Sequence, residues 1–168
     1  MLKEIFARRS VRSFTEEPVT KEQITELLRA AMNAPSARNR QEWRFVVLTG
    51  RKNVDKVQEL LPFNKMMLEA PVAIIVSADQ NAAATEGHSY LDCGAAIENL
   101  LLEVVNQGLG ACWCGLAPVE KNVVDFRAAF GIPADQIPMG VIAVGHPAKE
   151  IPPRVDQYKE EYVTWLES

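Results

Sequence analysis

The sequence lacks three features that would assign it to a large class of proteins: a long hydrophobic run, an excess of basic residues and a regular set of cysteines. Its longest apolar run, APVAIIVSA at positions 70–78, is much shorter than the roughly 20 residues that cross a bilayer as a helix. Lysine and arginine number 18 against 22 acidic residues, and the formal net charge is −4. Because nucleic acids and anionic membranes attract broadly basic surfaces, we expect neither to be a partner of this chain.

Cysteine and histidine are also scarce. Cys93, Cys112 and Cys114 have neither the spacing of a zinc site nor that of a disulfide framework, so we expect a reducing, cytoplasmic environment. No apolar signal-peptide core follows the first residue, which favours the same compartment. We expect the thiols of Cys112 and Cys114, at alternate positions of an extended segment, to point to opposite faces, which disfavours dithiol or metal chemistry. His88 and His146 lie far apart and no HExxH motif is present, so the sequence predicts neither a nucleophilic triad nor a metal site.

Length and composition predict one globular domain over residues 1–168. The chain is 48% hydrophobic and 24% charged, which is typical of a protein with its own core. Residues 146–168 form a proline-containing extension in which Tyr158, Tyr162 and Trp165 follow the spacing of one helix face. We expect this extension to pack on a partner subunit, because its apolar side chains have no obvious place in a small core.

Capping and periodicity patterns predict several helices and extended segments. Thr20 and Gln23 form a capping box at the start of one helix. Ser89, with Asp92 three positions later, predicts the start of a long, nearly all-apolar helix that ends at Gly108. Further helices are predicted within 54–61 and over 119–130, and extended segments over 43–49, 72–78, 109–115 and 139–145.

The clearest candidate binding motif is RRSVR at positions 8–12. Arginine grips phosphate oxygens with two parallel N–H groups and serine adds a hydroxyl donor. Arg8, Arg9, Ser10 and Arg12 could therefore hold a phosphate dianion on an otherwise acidic chain. A solvated basic loop with surface ion pairs is the alternative interpretation of the same five positions.

A second candidate is the polar turn inside APSARNRQEWRF at positions 34–45. Pro35, Ser36, Asn39 and Gln41 lie between a predicted helix and a predicted strand, where loops often carry binding groups. Amide side chains offer a donor and an acceptor each, as the edge of a heterocycle requires. The alternative is a helix end followed by an ordinary polar turn.

A third candidate is GLGACWCG at positions 108–115. Its glycines, Gly108, Gly110 and Gly115, allow the close approach of a ligand to the backbone. The segment lacks the lysine of a phosphate-binding loop and the spacing of a dinucleotide fingerprint. Taken alone, it is a weak signal.

Five blocks taken in order resemble the FMN-dependent nitroreductase family in its short-chain form. They are RRSVRSF, APSARNRQEWRFVV, LPFNKMMLEAPVAIIV, LDCGAAIENLLLEVVNQGLGACWCG and GVIAVGHPAKEIPPR. The resemblance covers about residues 3 to 154. It implies an α+β fold with a mostly antiparallel sheet flanked by helices, in an intertwined homodimer that binds FMN at the subunit interface.

The resemblance also implies which residues contact the cofactor. Phosphate, ribityl chain and pyrimidine edge would be contacted by Arg8, Arg9, Ser10 and Arg12, with Arg154 reaching the phosphate from the C-terminal side. The remaining implied contacts are Pro35, Ser36 and Asn39 from the second subunit with Gln41 supporting their loop, Asn64 at the pyrimidine, and the backbone N–H groups of Cys114 and Gly115 beside flavin N5 and O4.

The reaction implied by the resemblance is two-electron reduction of nitroaromatics, quinones or similar acceptors by NADH or NADPH, in a ping-pong sequence. No catalytic side chain is expected, because the flavin N5 carries the chemistry; Arg12 is the candidate for stabilising the reduced flavin. Three alternatives stay open at this point: a specialised flavin enzyme such as a dehalogenase or an enoyl or azoline oxidoreductase, a non-catalytic FMN-storage protein, and a dithiol or metal protein.

Overall fold

The computed structural model describes residues 2–166, which contain alternating helices and strands. The helices are α1 (Lys3–Ala7), α2 (Lys21–Met32), α3 (Arg51–Leu60), α4 (Glu86–Asn106) and α5 (Glu120–Phe130). The strands are β1 (Trp43–Thr49), β2 (Val72–Asp79), β3 (Gly110–Gly115) and β4 (Gln136–Gly145). Short 3₁₀ turns lie at Ala37–Asn39, Lys65–Leu68 and Glu160–Tyr162.

The strands form one sheet in the order β1-β2-β4-β3, and every neighbouring pair is antiparallel. This confirms the predicted α+β fold. Strands β2 and β4 occupy the centre, and β2 is buried from Val72 to Ala78, as its continuous apolar run indicates. Strand β3 lies at one edge, so its outer backbone groups are available to another element or a ligand.

Helices cover both faces of the sheet, because alternate strand residues point to opposite sides. On one face Ile74 and Val76 belong to a core cluster that includes residues of α2 and α4. On the other face Ile75 belongs to a cluster with residues of α3 and α5, among them the fully buried Phe126. The chain thus buries β2 on both sides between two helical layers.

Helix α2 begins with the predicted capping box. The backbone N–H of Gln23 donates to Thr20 Oγ1 over 3.1 Å, and the backbone N–H of Thr20 donates to Gln23 Oε1 over 2.9 Å. Two backbone donors at the helix start are satisfied in this way.

Helix α4 begins one turn earlier than predicted. Its N-cap is Thr85, whose side chain accepts from the backbone N–H of His88, and the predicted cap at Ser89 is therefore wrong. Thr85 offers the same kind of hydroxyl acceptor four positions earlier, so the helix extends back to it. As a consequence Ser89 and Asp92 lie inside the helix, and both are buried.

The C-terminal extension is not a helix, so the predicted helical stripe of aromatic residues is wrong. Apart from the turn at Glu160–Tyr162, residues 151–166 have no regular secondary structure. Tyr158, Tyr162 and Trp165 are 66%, 77% and 72% exposed. Pro152 and Pro153 precede the aromatic residues. The exposed aromatic side chains have no core surface on their own chain, and their packing on a partner subunit stays a prediction.

A transmembrane helix is not found within residues 2–166, since no helix there combines the length and the apolar character needed.

Candidate functional site

The RRSVR segment lies against the edge strand β3. Ser10 bridges to Ala111 in parallel orientation, and the backbone N–H of Val11 donates to the Ala111 carbonyl over 2.8 Å. Val11 packs so closely on Gly110 that a Cβ there would lie 2.7 Å from a Val11 methyl carbon, which explains the glycine. Ser10 and Arg12 are exposed on either side of the buried Val11, so the segment presents polar groups outward.

Arg8 lines a cavity of about 360 Å³ beside β3. Other lining residues are Ser10, Glu98, Trp113 and Gly115. Within it Arg8 Nε forms an ion pair of 2.9 Å with Glu98 Oε1 of α4. An anion bound here would therefore compete with Glu98 for the Arg8 guanidinium.

A neighbouring cavity of about 300 Å³ is lined by Arg8, Arg9 and Lys149. Arg9 Nη1 donates to the carbonyl of Pro152 over 2.9 Å, which holds the start of the C-terminal extension against the N-terminal segment. Glu150 lines the same cavity, so three cations face one carboxylate there, and the excess of positive charge on an acidic chain forms a local anion-attracting surface.

Arg154 lies near the same region. Its backbone N–H donates to the carbonyl of Phe6 in α1 over 2.9 Å, and its side chain is exposed. The structure thus places the backbone of Arg154 beside α1, but Arg154 lines neither cavity, and its contact with a phosphate stays a prediction.

The polar turn of residues 35–41 has a strained backbone. Arg38, Asn39 and Gln41 have φ angles of 56°, 53° and 50°, in the left-handed region that costs a residue with a side chain roughly 1 kcal/mol or more. Such conformations persist where surrounding contacts impose them, and they concentrate at functional sites.

Hydrogen bonds hold this turn together. The backbone N–H of Gln41 donates to Ser36 Oγ over 3.0 Å, and Gln41 Nε2 donates to Asn39 Oδ1 over 2.9 Å. The backbone N–H of Ala37 donates to Asp92 Oδ2 of α4 over 2.8 Å. Gln41 therefore supports the turn through Asn39, and Asp92 attaches the turn to the protein core.

The turn of residues 35–41 lies outside the two arginine-lined cavities. Neither arginine-lined cavity includes a residue of 35–41; Gln41 instead borders a shallow surface groove together with Trp43. Asn64 also lies outside both cavities, half-buried at the start of the 3₁₀ turn that follows α3. The roles predicted for these residues in a site shared between subunits stay predictions.

The two neighbouring thiols of β3 correct a sequence expectation. Cys112 and Cys114 are both buried in the core cluster on the α3–α5 side, not on opposite faces, because residues two apart in a strand share a face. The contact with the Cys114 thiol lowers the pKa of Cys112 to about 7, and Arg12 and Ser10 act in the same direction. The same contact, together with burial, raises the pKa of Cys114.

The opposite face of β3 is buried at Ala111 and opens toward the end of the strand. Trp113 is 42% exposed, and a Cβ added at the exposed Gly115 would meet no atom within 4 Å. In residues 2–166 the one bridge on the outer edge of this strand is that between Ser10 and Ala111. Backbone groups beyond Ala111 are therefore accessible next to open space.

The model of the nitroreductase family matches residues 5–62 and 52–146 of the chain. These ranges include the arginine segment, the strained turn and β3. The chain belongs to the nitroreductase family.

Individual relatives of this nitroreductase-family chain agree with that assignment. A Methanothermobacter thermautotrophicus protein named NADH dehydrogenase/NAD(P)H nitroreductase is 40% identical over 149 residues, covering 89% of this chain and 78% of the relative. The crystal structure of a protein named NADH oxidase from Clostridium acetobutylicum is 36% identical with a TM-score of 0.92, covering 96% and 98% of the two chains. A nitroreductase structure in complex with FMN from Desulfovibrio desulfuricans is 28% identical with a TM-score of 0.81, covering 99% and 95%.

Sequence reasoning missed the charged and aromatic residues that line the two arginine-lined cavities beside the predicted arginines: Glu98, Trp113, Lys149 and Glu150. Glu98 lies on the mostly apolar helix α4, where a single acidic residue gives no local signal of a binding site. The sequence predicts Trp113 as a strand residue, and only the tertiary position of β3 at the sheet edge shows that its side chain is exposed. Lys149 could have been found, because it falls in the same GVIAVGHPAKEIPPR block as Arg154.

Proposed function

We propose that this nitroreductase-family protein is an FMN-dependent oxidoreductase that carries two electrons from NADH or NADPH to nitroaromatics, quinones or similar small acceptors. The observation that carries the proposal is the cationic segment of residues 8–12 lying along the open edge of β3. The family, the FMN-bound relative and the NAD(P)H nitroreductase name of another relative support it.

The residues present suit FMN. Its phosphate is a dianion, and Arg8, Arg9 and Lys149 line one cavity while the chain as a whole is acidic. Its ring system is flat and needs an approachable backbone, which the open face at Gly115 offers. Phosphate recognition by paired guanidinium groups is strong because the hydrogen bonds are charge-assisted.

The proposed roles divide between charge and position. Arg8, Arg9 and Arg154 bind the phosphate, and Ser10 adds a hydroxyl donor. Arg12 places a positive charge near β3, which favours a negatively charged ligand over a neutral one. When bound, FMN supplies the two-electron chemistry that amino-acid side chains lack. The protein then needs no acid–base pair of its own.

A homodimer is part of the proposal. In a single chain the strained turn of residues 35–41 does not border the arginine-lined cavities, so the turn would serve the site of the other subunit. The exposed aromatic side chains of the C-terminal extension offer apolar area for that contact. Cytoplasmic location is also proposed, since the cysteines are free and a reducing compartment keeps them so.

The connection between β2 and α4 bears on the size of the electron acceptor. Only residues 80–85 join these elements, which leaves little chain to build a lid over a substrate. The short connection favours a reductase of small, varied acceptors over a specialised enzyme of the same fold.

An anaerobic absorbance titration of the purified protein tests the proposal. The flavin band should bleach on addition of NADH or NADPH and return on addition of a nitroaromatic compound or a quinone. Flavin that no nicotinamide nucleotide reduces would support the storage alternative instead. Failure to bind added FMN at all would overturn the proposal.

A further inference from the structure

Glu42 carries a fully buried carboxyl group. It directly follows the strained turn of residues 35–41, and its side chain is 0% exposed. Neither of its carboxyl oxygens accepts a hydrogen bond from a donor group among residues 2–166. An ionised carboxylate in this position would be costly, since burial without compensation disfavours charge. The group therefore needs either a cation or a proton.

The polar neighbour of Glu42 is a second carboxyl group. The side chain of Asp92 lies within hydrogen-bonding reach of it and is itself 7% exposed. Two ionised carboxylates are both acceptors and repel each other, so this contact is favourable only with a proton between them. Asp92 already accepts the backbone N–H of Ala37 over 2.8 Å, which suits the ionised partner and leaves the proton to Glu42.

Among residues 2–166, the charged and titratable groups that act on Glu42 include no buried cation. Burial raises the pKa of Glu42, and the Asp92 carboxyl raises it further, while the nearby N–H of its own backbone and the exposed His88 act in the opposite direction. Cys93 lies next to Asp92 on α4, and burial together with the carboxyl groups of Glu42 and Asp92 raises the pKa of Cys93 to about 12. On the side of β2, the backbone N–H of Asp79 donates to the Glu42 carbonyl.

We propose that Glu42 is a positioning residue: its protonated carboxyl donates a hydrogen bond to Asp92, and the pair holds the Ala37 amide and with it the strained turn of residues 36–41. The turn contains left-handed residues at Arg38 and Asn39, so it needs an attachment that outweighs their strain. A role of this turn in binding flavin rests on the proposed function, whereas the hydrogen bond between Glu42 and Asp92 does not.

The proposal gives a stability profile with a definite sign. The folded chain keeps the Glu42 proton at pH values where the unfolded chain has released it, because the pKa is raised on folding. Stability contributed by the pair is thus fully present below the pKa of an ordinary glutamate and is lost as pH rises through the raised value. Each unit of pKa difference corresponds to about a tenfold change in the folding equilibrium constant.

Infrared spectroscopy in D₂O tests the protonation directly on the full chain. The wild-type protein should show the C=O stretch of a protonated carboxylic acid at pH values where exposed carboxyl groups are already ionised. Glu42→Gln should lose this band, and the matched control Glu59→Gln, on the exposed face of α3, should keep it. Absence of the band from the wild-type protein, or its survival in Glu42→Gln, would overturn the proposal.

The positioning role has its own readout in the amide signal of Ala37. In wild-type protein we expect its NMR shift to follow the same pH midpoint as the infrared band. The glutamine of Glu42→Gln can still donate to Asp92, so the turn should persist and the shift should no longer respond to pH. An Ala37 signal that titrates alike in both proteins would contradict the positioning role. Both measurements apply with or without FMN, so they separate this proposal from the proposed function.

Discussion

The arginine segment and the strained turn represent two different ways to build a binding surface. Residues 8–12 rest on the edge of the sheet through backbone contacts to β3, and their charged side chains are exposed or half-buried. The turn of residues 35–41 instead depends on a buried carboxyl group 55 positions away. Loss of one side chain should therefore weaken binding in the first region and alter the conformation in the second.

Asp92→Ala should give the largest effect of the variants considered. It leaves the Ala37 N–H without its acceptor and the buried Glu42 without its neighbour. Each unsatisfied buried group costs about 1 to 3 kcal/mol, so we expect a loss of about 2 to 4 kcal/mol in the free energy of unfolding. Denaturant unfolding measures it, with Glu59→Ala as the surface control; equal stability of the two variants would mean that the turn is not held from the core.

Arg8→Ala should weaken FMN binding with a smaller effect on stability. Hydrogen bonds to a charged group contribute about 1.5 to 3 kcal/mol, which predicts a Kd for FMN roughly 10 to 100 times larger. Fluorescence titration with FMN measures the change, and Arg29→Ala on the exposed side of α2 is the matched control. If both variants bind FMN equally well, the phosphate lies elsewhere.

Sequence patterns predicted those features of the fold that depend on residues close together in the chain, such as helix caps, helix ends and buried strands. The capping box at Thr20, the buried run of β2 and the end of the helix predicted over 119–130, after which Gly131 has a φ of 64°, follow from local chemistry and periodicity. Order and direction of the strands do not, and the antiparallel sheet came from the family resemblance. The cap of α4 was misplaced because Thr85 and Ser89 offer equivalent hydroxyl groups, and local pattern cannot rank them.

The candidate site divides along the same line. The arginine cluster of residues 8–12 could be recognised from the sequence as a candidate anion site, because clustered like charges are unusual wherever the chain folds. The pairing of Arg8 with Glu98 and the attachment of Ala37 by Asp92 were not found, because each joins residues that only the tertiary fold brings together. The contact between Cys112 and Cys114 was missed for another reason. The prediction placed residues two apart on opposite faces of a strand, whereas such residues share a face.

Cys112→Ala should change how the free energy of unfolding depends on pH. The pKa of Cys112 is lowered to about 7 from an ordinary value of 9.0, so the unfolded chain binds more protons between these values and stability should rise with pH there. The gain is on the order of 1 to 2 kcal/mol, opposite in sign to the profile expected from Glu42. Unfolding measured across this pH range should lose the rise in Cys112→Ala.

The same Cys112 variant separates flavin chemistry from the dithiol alternative. Reduction of bound flavin by NADH should continue in Cys112→Ala, because its thiol lies in the core on the face of β3 away from Trp113. A loss of activity without loss of FMN would favour thiol chemistry. The control is Cys93→Ala, which removes another buried thiol on α4.

Glu98→Gln should give the smallest change and the opposite direction from Arg8→Ala. The carboxylate of Glu98 occupies Arg8 at 2.9 Å, and both side chains are partly exposed, at 46% and 23%. A pair of this kind contributes about 0.2 to 1 kcal/mol, so freeing the guanidinium should tighten FMN binding by a factor of about 1.5 to 5. Fluorescence titration at low and high salt measures this, and the gain should shrink as ionic strength screens the charges. In the double variant Arg8→Ala/Glu98→Gln the gain should disappear, because Glu98 then has no guanidinium to release; a gain that persists would mean that Glu98 repels the phosphate directly instead of competing for Arg8.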